Sequence, residues 1–553
     1  MQIVIPMSGF GERFRRAGYS VPKPLLKVDG KPIVAHVIDM FPGEKNFIFI
    51  CNQEHLNEPT YRMEAILKEY CPSGRIIGIP PHKLGPVNAV CQVEPLLDLT
   101  KPVVVNYCDF TCYWDWHHFK QYVSETACTG AIPAYKGFHP HSLGSTNYAY
   151  MRETNGRVHD IQEKQPYTNN RMEEYASSGT YYFASAQIMI QAFRAMMVQE
   201  LSIGGEYYVS LAYKLLLLSN QFVAVYPLQH FMQWGTPEDL SDYNFWSKAF
   251  QRLIAKSEST PSFKGALVVP MAGLGQRFSD EGYTLTKPLI PVSGLPMAAQ
   301  ATHDLPPAEQ HVFVLREDML GYKDVVNELK QLYPKAIIRT IDSVTEGQAC
   351  TALIGLDALE EKECGSITIG ACDNGAIYDI DAFNNLVSDP SVDVIVWGVR
   401  GYPNAARHPT MFGWVNAEGD SIRSVSVKTP LGTPASDPIV IGTFTFRRAA
   451  DFRRALDRLI AREGQINGEF YIDSLINDAI ALGLRCSLFE VDNYLCWGTP
   501  NDLRTFEYWQ SCFHKWANHP YRLNLDGRIP SNQVSVLQAA YQASIPTLPE
   551  ALA

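Results

Sequence analysis

Two stretches of the sequence place glycines, an arginine and a lysine at the same spacing after a short apolar run. The first reads Gly9-Phe10-Gly11-Glu12-Arg13-Phe14, with Lys23 following in Lys23-Pro24-Leu25. The second reads Gly273-Leu274-Gly275-Gln276-Arg277-Phe278, with Lys287 following in Lys287-Pro288-Leu289. Glycines let backbone amides approach an anion and fixed cations neutralise it, so the set suits a polyphosphate. One copy alone reads equally as a tight turn with two solvated cations; the full set found twice argues for the cradle. A dinucleotide fingerprint needs a third glycine near Phe14, and a Walker loop needs Gly-Lys-Ser/Thr; neither is present.

A carboxylate accompanies each cradle. Asp109 in Tyr107-Cys108-Asp109 and Asp373 in Ala371-Cys372-Asp373-Asn374 each follow a strand-like run, Val103–Asn106 and Ile367–Ile369. An Asp at the carboxyl end of a strand can hold Mg²⁺ or merely cap the next helix; its pairing with a phosphate cradle favours the metal. Cys108 and Cys112 have no second Cys/His pair at zinc spacing.

These residues belong to a repeat. Lys23 and Lys287, Asp109 and Asp373, and Lys164 and Lys428 are each 264 residues apart, while Glu206 and Glu469, and Trp234 and Trp497, are 263 apart. A register held over that length means two homologous domains, expected at 1–250 and 265–510. The polar stretch 251–264 reads as a linker, and 511–553 is a tail without a counterpart. Strand-like runs at Ile3–Ile5, Phe47–Cys51, Val103–Asn106, Leu267–Val269, His311–Leu315, Ile367–Ile369 and Val394–Trp397 alternate with helical stretches such as Met63–Tyr70 and Lys323–Leu332. That order predicts an α/β fold, a mostly parallel mixed sheet with helices on both faces and ligands at the carboxyl ends of the strands.

Composition bounds the function. The 553 residues are 46% hydrophobic and 19% charged, with net charge −11 and no long block of one sign, which excludes a disordered chain and a nucleic-acid-binding surface. No apolar run is long enough to span a bilayer, and Met1–Pro6 lacks the features of a secretory leader. Twelve scattered cysteines fit a reducing compartment. The expectation is a cytoplasmic protein with no membrane or nucleic-acid partner; oligomeric state is not readable.

The series G-x-G-x-R-F…G-Y…K-P-L, carried by Gly9 to Leu25 and Gly273 to Leu289, resembles the signature of sugar-1-phosphate nucleotidyltransferases, which make NDP-sugars. The resemblance covers both repeats. It implies a Rossmann-like (GT-A-like) domain in each, with the triphosphate on Gly9, Gly11, Arg13 and Lys23, and on Gly273, Gly275, Arg277 and Lys287. It implies Mg²⁺ on Asp109 and Asp373. It places Lys164 and Lys428 on the acceptor phosphate, and Gly179-Thr180 and Gly442-Thr443 along the acceptor site. Gly347-Gln348-Ala349 resembles the base-reading segment; the first copy has Gly85-Pro86 there, without the glutamine. Glu163, before Lys164, has only Val427 as its counterpart, so the acceptor pockets are expected to differ. Several family members carry a second metal-binding Asp before the late Gly-Thr; here Gln233 and Cys496 precede Trp-Gly-Thr, and Asp239 and Asp502 look like parts of capping boxes.

The expected reaction is NTP + sugar 1-phosphate → NDP-sugar + pyrophosphate, within surface polysaccharide or glycan biosynthesis. Two alternatives stay open: cytidylyl transfer to a small phosphorylated alcohol, amine or amide, and one catalytic domain paired with a regulatory nucleotide-binding one. A glycosyltransferase on a similar sheet would need an Asp-x-Asp motif, which neither Asp109-Phe110-Thr111 nor Asp373-Asn374-Gly375 supplies.

Overall fold

The computed structural model describes residues 1–145, 147–255, 263–359 and 365–542. The chain divides into two compact units, Met1–Asn244 and Phe245–Gln542. The division falls within the helix Pro237–Leu253, ahead of the expected linker, most of which (256–262) lies outside the described residues. The reason is aromatic: Phe245 packs on Tyr402, and Phe250 on Phe506 and Phe513, all within the second unit.

In the first domain alternation sorts each central strand onto two cores. Ile3 and Ile5 of Gln2–Met7 join Phe47 and Phe49 on one face, while Val4 joins Ile48, Ile50, Val103 and Val105 on the other. Strands buried on both faces read as continuous apolar runs, as parallel sheets do. Val34 and Val37 of Ile33–Asp39, and Met63 and Leu67 of Met63–Tyr70, cover the first face. Pro86–Gln92, Ala186–Val198 and Val209–Leu218 cover the second. The second domain repeats the scheme, with Leu267 and Val269 on one face and Ala266 and Val268 on the other.

Each sheet is mixed in a spatially ordered way. Gln2–Met7 lies parallel to Phe47–Asn52 and to Val103–Asn106; the next strand, Thr180–Phe183, runs antiparallel to Val103–Asn106, pairing Thr180 with Asn106. Beyond it Ala149–Thr154 and Arg157–Glu163 form a hairpin. Its two-residue turn, Asn155-Gly156, has φ +49 and +77, the left-handed pair that a tight hairpin matched to strand twist requires. In the second domain Phe263–Pro270 is likewise parallel to Ala308–Arg316 and Ser366–Ile369, and Ile439–Phe446 is antiparallel to Ser366–Ile369. The parallel half carries the glycine loop; the antiparallel half carries Lys164 or Lys428.

The tail up to 542 packs as part of the second domain. Helix Pro500–Lys515 runs past the expected boundary at 510, with Cys512 and Phe513 buried. Arg528, buried, bonds Asp304 Oδ2 at 3.1 Å and Asp526 Oδ1 at 3.2 Å, and Tyr521 donates to Asp526 Oδ2 at 2.9 Å. Asp304 stands where the first domain, 264 residues earlier, has Met40, so the first domain has no carboxylate at the position that Arg528 bonds. Among the described residues no helix is long and apolar enough to cross a membrane.

Candidate active site

Gly11 sits at φ +63 and opens helix Glu12–Arg16; Gly275 repeats this at φ +66 before Gln276–Asp280. A side chain other than glycine is strained there. Nothing lies within 4 Å of a Cβ built on Gly9, Gly11 or Gly273, so these loops border open space. Arg13 and Arg277, in the first turn after the loop, are exposed, and among the described residues neither forms an ion pair.

The lysines are already engaged. Lys23 opens the tight turn Lys23–Leu25 and donates from Nζ to Asp109 Oδ2 at 2.8 Å. Lys287 opens Lys287–Leu289 and donates to Asp373 Oδ2 at 2.5 Å and to the Gly498 carbonyl at 3.1 Å. Burial opposes the charge on each ammonium, but the facing carboxylate outweighs it and holds both lysines above their usual pKa. Burial also pushes the adjacent thiols, Cys108 and Cys372, up to about 12, which removes them as nucleophiles near neutrality. Gly235 and Gly498 of the late motif run beside the carboxylates: a Cβ on Gly235 would lie 3.0 Å from Asp109 Oδ2, and one on Gly498 3.4 Å from Asp373 Oδ2.

Lys164 and Lys428 each follow the second strand of the hairpin and adopt φ +60 and +56. A non-glycine residue in that region costs free energy, and both domains hold the matching lysine there. Lys164 Nζ donates to Tyr208 Oη at 2.6 Å, and Lys428 Nζ to Tyr471 Oη at 2.9 Å. Tyr208 Oη in turn donates to Glu206 Oε2 at 2.5 Å.

Gly85 (φ +85) and Gly347 (φ +132) open helices Pro86–Gln92 and Gln348–Leu356. A Cβ would strike the Tyr207 backbone nitrogen at 2.7 Å in one case and that of Phe470 at 2.5 Å in the other. The close approach is a backbone clasp. Tyr207 N donates to the Leu84 carbonyl at 2.9 Å, and Val87 N to the Tyr207 carbonyl at 3.2 Å. Phe470 N donates to the Glu346 carbonyl at 2.8 Å, and Ala349 N to the Phe470 carbonyl at 3.1 Å. Each clasp ends one residue short of the tyrosine that holds Lys164 or Lys428.

In the first domain all seven predicted residues, Gly9, Gly11, Arg13, Lys23, Gly85, Asp109 and Lys164, line one cavity of about 640 Å³ at the carboxyl ends of the parallel strands. Residues 3–210 match the sequence profile of the family described as Nucleotidyl transferase. The first domain belongs to the nucleotidyl transferase family. The second, sharing its repeat and its strand scheme, is its tandem copy.

The chain is 24% identical over 289 residues to the catalytic subunit beta of mannose-1-phosphate guanylyltransferase from Danio rerio, a match covering 50% of this chain and 73% of that protein. It is 34% identical over 109 residues to the bifunctional protein GlmU of Paraburkholderia phytofirmans, 20% of this chain and 22% of that one. Among solved structures it resembles a nucleoside-diphosphate-sugar pyrophosphorylase from Vibrio cholerae (TM-score 0.35, 22% identity, 43% of this chain and 98% of that chain). It also resembles the inositol-1-phosphate CTP transferase of T. maritima (TM-score 0.36, 13% identity, 45% and 96%).

Within this nucleotidyl transferase scaffold, other residues take part that motif reading did not select. Tyr208 and Tyr471, which packing at a helix start explains nearly as well from sequence, hold the two lysines. His55 and His82 line the first cavity, and burial keeps both below the usual histidine range, hence neutral at pH 7. Asp239 and Asp502 close capping boxes: Thr236 Oγ1 donates to Asp239 Oδ2 at 2.7 Å and accepts from Asp239 N at 3.1 Å, with 2.6 and 3.2 Å for Thr499 and Asp502. Gln348 stands half-buried at the start of its helix, where the first domain has Pro86.

Proposed function

We propose that each domain transfers a nucleotidyl group from an NTP to a sugar 1-phosphate, releasing pyrophosphate. The observation that carries this reading is the joining, in one cavity, of a glycine–arginine loop, a lysine–aspartate pair and a second lysine held by tyrosine. The loop and Arg13 suit the β- and γ-phosphates, Lys23 the α-phosphate, and Lys164 an acceptor phosphate arriving from the antiparallel half. Arg277, Lys287 and Lys428 take the same parts in the second domain. The name of the zebrafish relative, a mannose-1-phosphate guanylyltransferase, supports the acceptor class.

The acceptor phosphate is ionised at pH 7, so no general base is needed; the site must align it in line with the α-phosphorus and offset converging negative charge. Lysine has three donors, so Lys23 can keep Asp109 and still reach a phosphate oxygen. Arg13 stabilises the departing pyrophosphate.

Asp109 and Asp373 fit Mg²⁺ of a particular kind. Each is a single carboxylate with Oδ2 committed to lysine, and among the described residues no group of three or more His, Cys, Asp or Glu side chains could hold a metal alone. That donor set suits an ion bound mainly by phosphates and waters, as Mg²⁺ is with nucleotides. Bound there, it supplies charge neutralisation between nucleotide and acceptor phosphates.

The test is pyrophosphate release by the intact chain with Mg²⁺, across four NTPs and a set of sugar 1-phosphates and phosphorylated alcohols. Release with a sugar 1-phosphate supports the reading; release only with phosphorylated alcohols moves it to a cytidylyltransferase-like acceptor; no release with any pair overturns it. The contrast of Pro86 with Gln348 favours a second reading, in which one domain binds nucleotide without turnover. Pyrophosphate release that survives Lys23→Ala unchanged, or Lys287→Ala unchanged, identifies it.

A further inference from the structure

The two sites differ at three neighbouring positions that change together. In the first domain Glu163 ends its strand beside Lys164, lines the cavity, and accepts from Ser210 Oγ at 2.5 Å. Ser210 is the second residue of helix Val209–Leu218. In the second domain the strand position holds Val427, and the second residue of the matching helix, Ile472–Ala481, is Asp473. The residue opposite in the hairpin register changes too: Ala149 faces Glu163, while Gly413 faces Val427. A Cβ on Gly413 would collide with Asp473 Oδ2, so the methyl lost at 413 is the room the carboxylate occupies.

Asp473 is half-buried, and among the described residues its side chain bonds no other residue; the charge that acts on it is that of Lys428. Its one hydrogen bond is from its own backbone amide, so most of the acceptor capacity of a shielded carboxylate beside Lys428 is unused. Its place in the first turn of a helix explains an acid there, but not the simultaneous loss of Glu at 427 and of a methyl at 413.

We propose that Asp473 is the acceptor-reading carboxylate of the second domain, accepting hydrogen bonds from hydroxyls of a phosphorylated polyol whose phosphate Lys428 holds. It reads the acceptor from the helix wall, whereas Glu163 reads it from the strand wall, so the two domains select different hydroxyl arrangements. The inference rests on the reading of both domains as transferases to phosphorylated acceptors.

The experiment uses the full chain carrying Lys23→Ala, so that release reports the second domain, and a panel of hexose 1-phosphates including analogues each lacking one hydroxyl. Adding Asp473→Asn is expected to raise KM for the preferred acceptor about 10–100-fold with a smaller change in kcat. The penalty should vanish for the analogue lacking the hydroxyl that Asp473 reads. The triple change Gly413→Ala, Val427→Glu, Asp473→Ser, which copies the packed first-domain arrangement, should shift preference towards the first domain's acceptor. An unchanged KM across the panel, with only thermal stability altered, assigns Asp473 to the helix and overturns the inference alone. No release with any acceptor in the Lys23→Ala background overturns the transferase reading of the second domain, and this inference with it.

Discussion

The two domains agree at the glycine loop and at both lysines, and differ in the residues around the second lysine and at the start of the helix after Gly85 or Gly347. Lys23–Asp109 and Lys287–Asp373 are the same pair, and Lys164 and Lys428 share an uncommon backbone conformation and a tyrosine partner. By contrast Pro86 faces Gln348 across the repeat, and Glu163, Ser210 and Ala149 face Val427, Asp473 and Gly413. Charge placement for phosphoryl chemistry tolerates little change, because its geometry is that of the reacting groups. Hydroxyl and base recognition needs only a donor or acceptor within reach, and several walls of the pocket can supply one. On the proposed reading, duplication has kept one chemistry and given it two sets of selecting groups.

The comparison can be broken at several points. The largest effect is expected from Arg528→Met, which leaves the buried Asp304 and Asp526 without their guanidinium: roughly 3–5 kcal/mol lost from the second domain. Calorimetry should show one transition falling and the first domain's unchanged; a shift of both would mean the tail serves the whole chain. Next, Lys23→Ala and Lys287→Ala should each cost about 10²–10³ in the rate of its own domain, roughly 2–4 kcal/mol of transition-state stabilisation. Equal losses in both reactions from either single change would end the division of labour. Gly347→Ala places a Cβ against the Phe470 backbone at φ +132 and should cost about 1–3 kcal/mol with weaker nucleotide binding, whereas Gly9→Ala meets open space and should leave stability unchanged.

The smallest effect is a pH dependence. Burial raises the Asp473 carboxyl from its usual 3.8 to about 6 in the folded chain. Between those values the unfolded chain has released the proton and the folded one still holds it. Its contribution to stability therefore falls as pH rises from about 4 to 6 and is level above, while Glu507, raised by burial to about 7, adds a slope of the same sign; Asp473→Asn should reduce the slope between about 4 and 6. Burial raises Glu163 in the same sense, opposed by the Ser210 hydrogen bond, so the first domain should show the weaker slope. Urea titrations at a series of pH values measure both.

Much of this was legible in the residues. The repeat register aligned both glycine–arginine–lysine sets and both aspartates, though not the ion pair that joins each lysine to its aspartate, and the apolar runs located the central strands because strands buried on two faces must be apolar throughout. The domain boundary was not legible: the polar stretch after 255 is conspicuous, whereas Phe245 and Phe250 reveal their allegiance only through the rings they meet. Asp473 is not legible from the strand that carries Glu163, because its place in the repeat register is that of Ser210, on the neighbouring helix. Tyr208 and Tyr471 lie in stretches that match the family, Glu206-Tyr207-Tyr208 and Glu469-Phe470-Tyr471, but a helix start explains them nearly as well, and the lysines they hold lie 44 and 43 residues away.

The backbone clasp at Gly85 and Gly347 also bears on the order in which a newly made chain becomes competent. Its partners, Val87 with Tyr207 and Ala349 with Phe470, are separated by 120 and 121 residues. Contacts of such separation close large loops and form late. The turn at Gly11 is closed by neighbours in sequence, whereas the clasp next to Tyr208 or Tyr471 waits for chain made some 120 residues later. Hydrogen exchange at the Val87 and Ala349 amides during refolding would time the closing of the clasp against the rest of its domain.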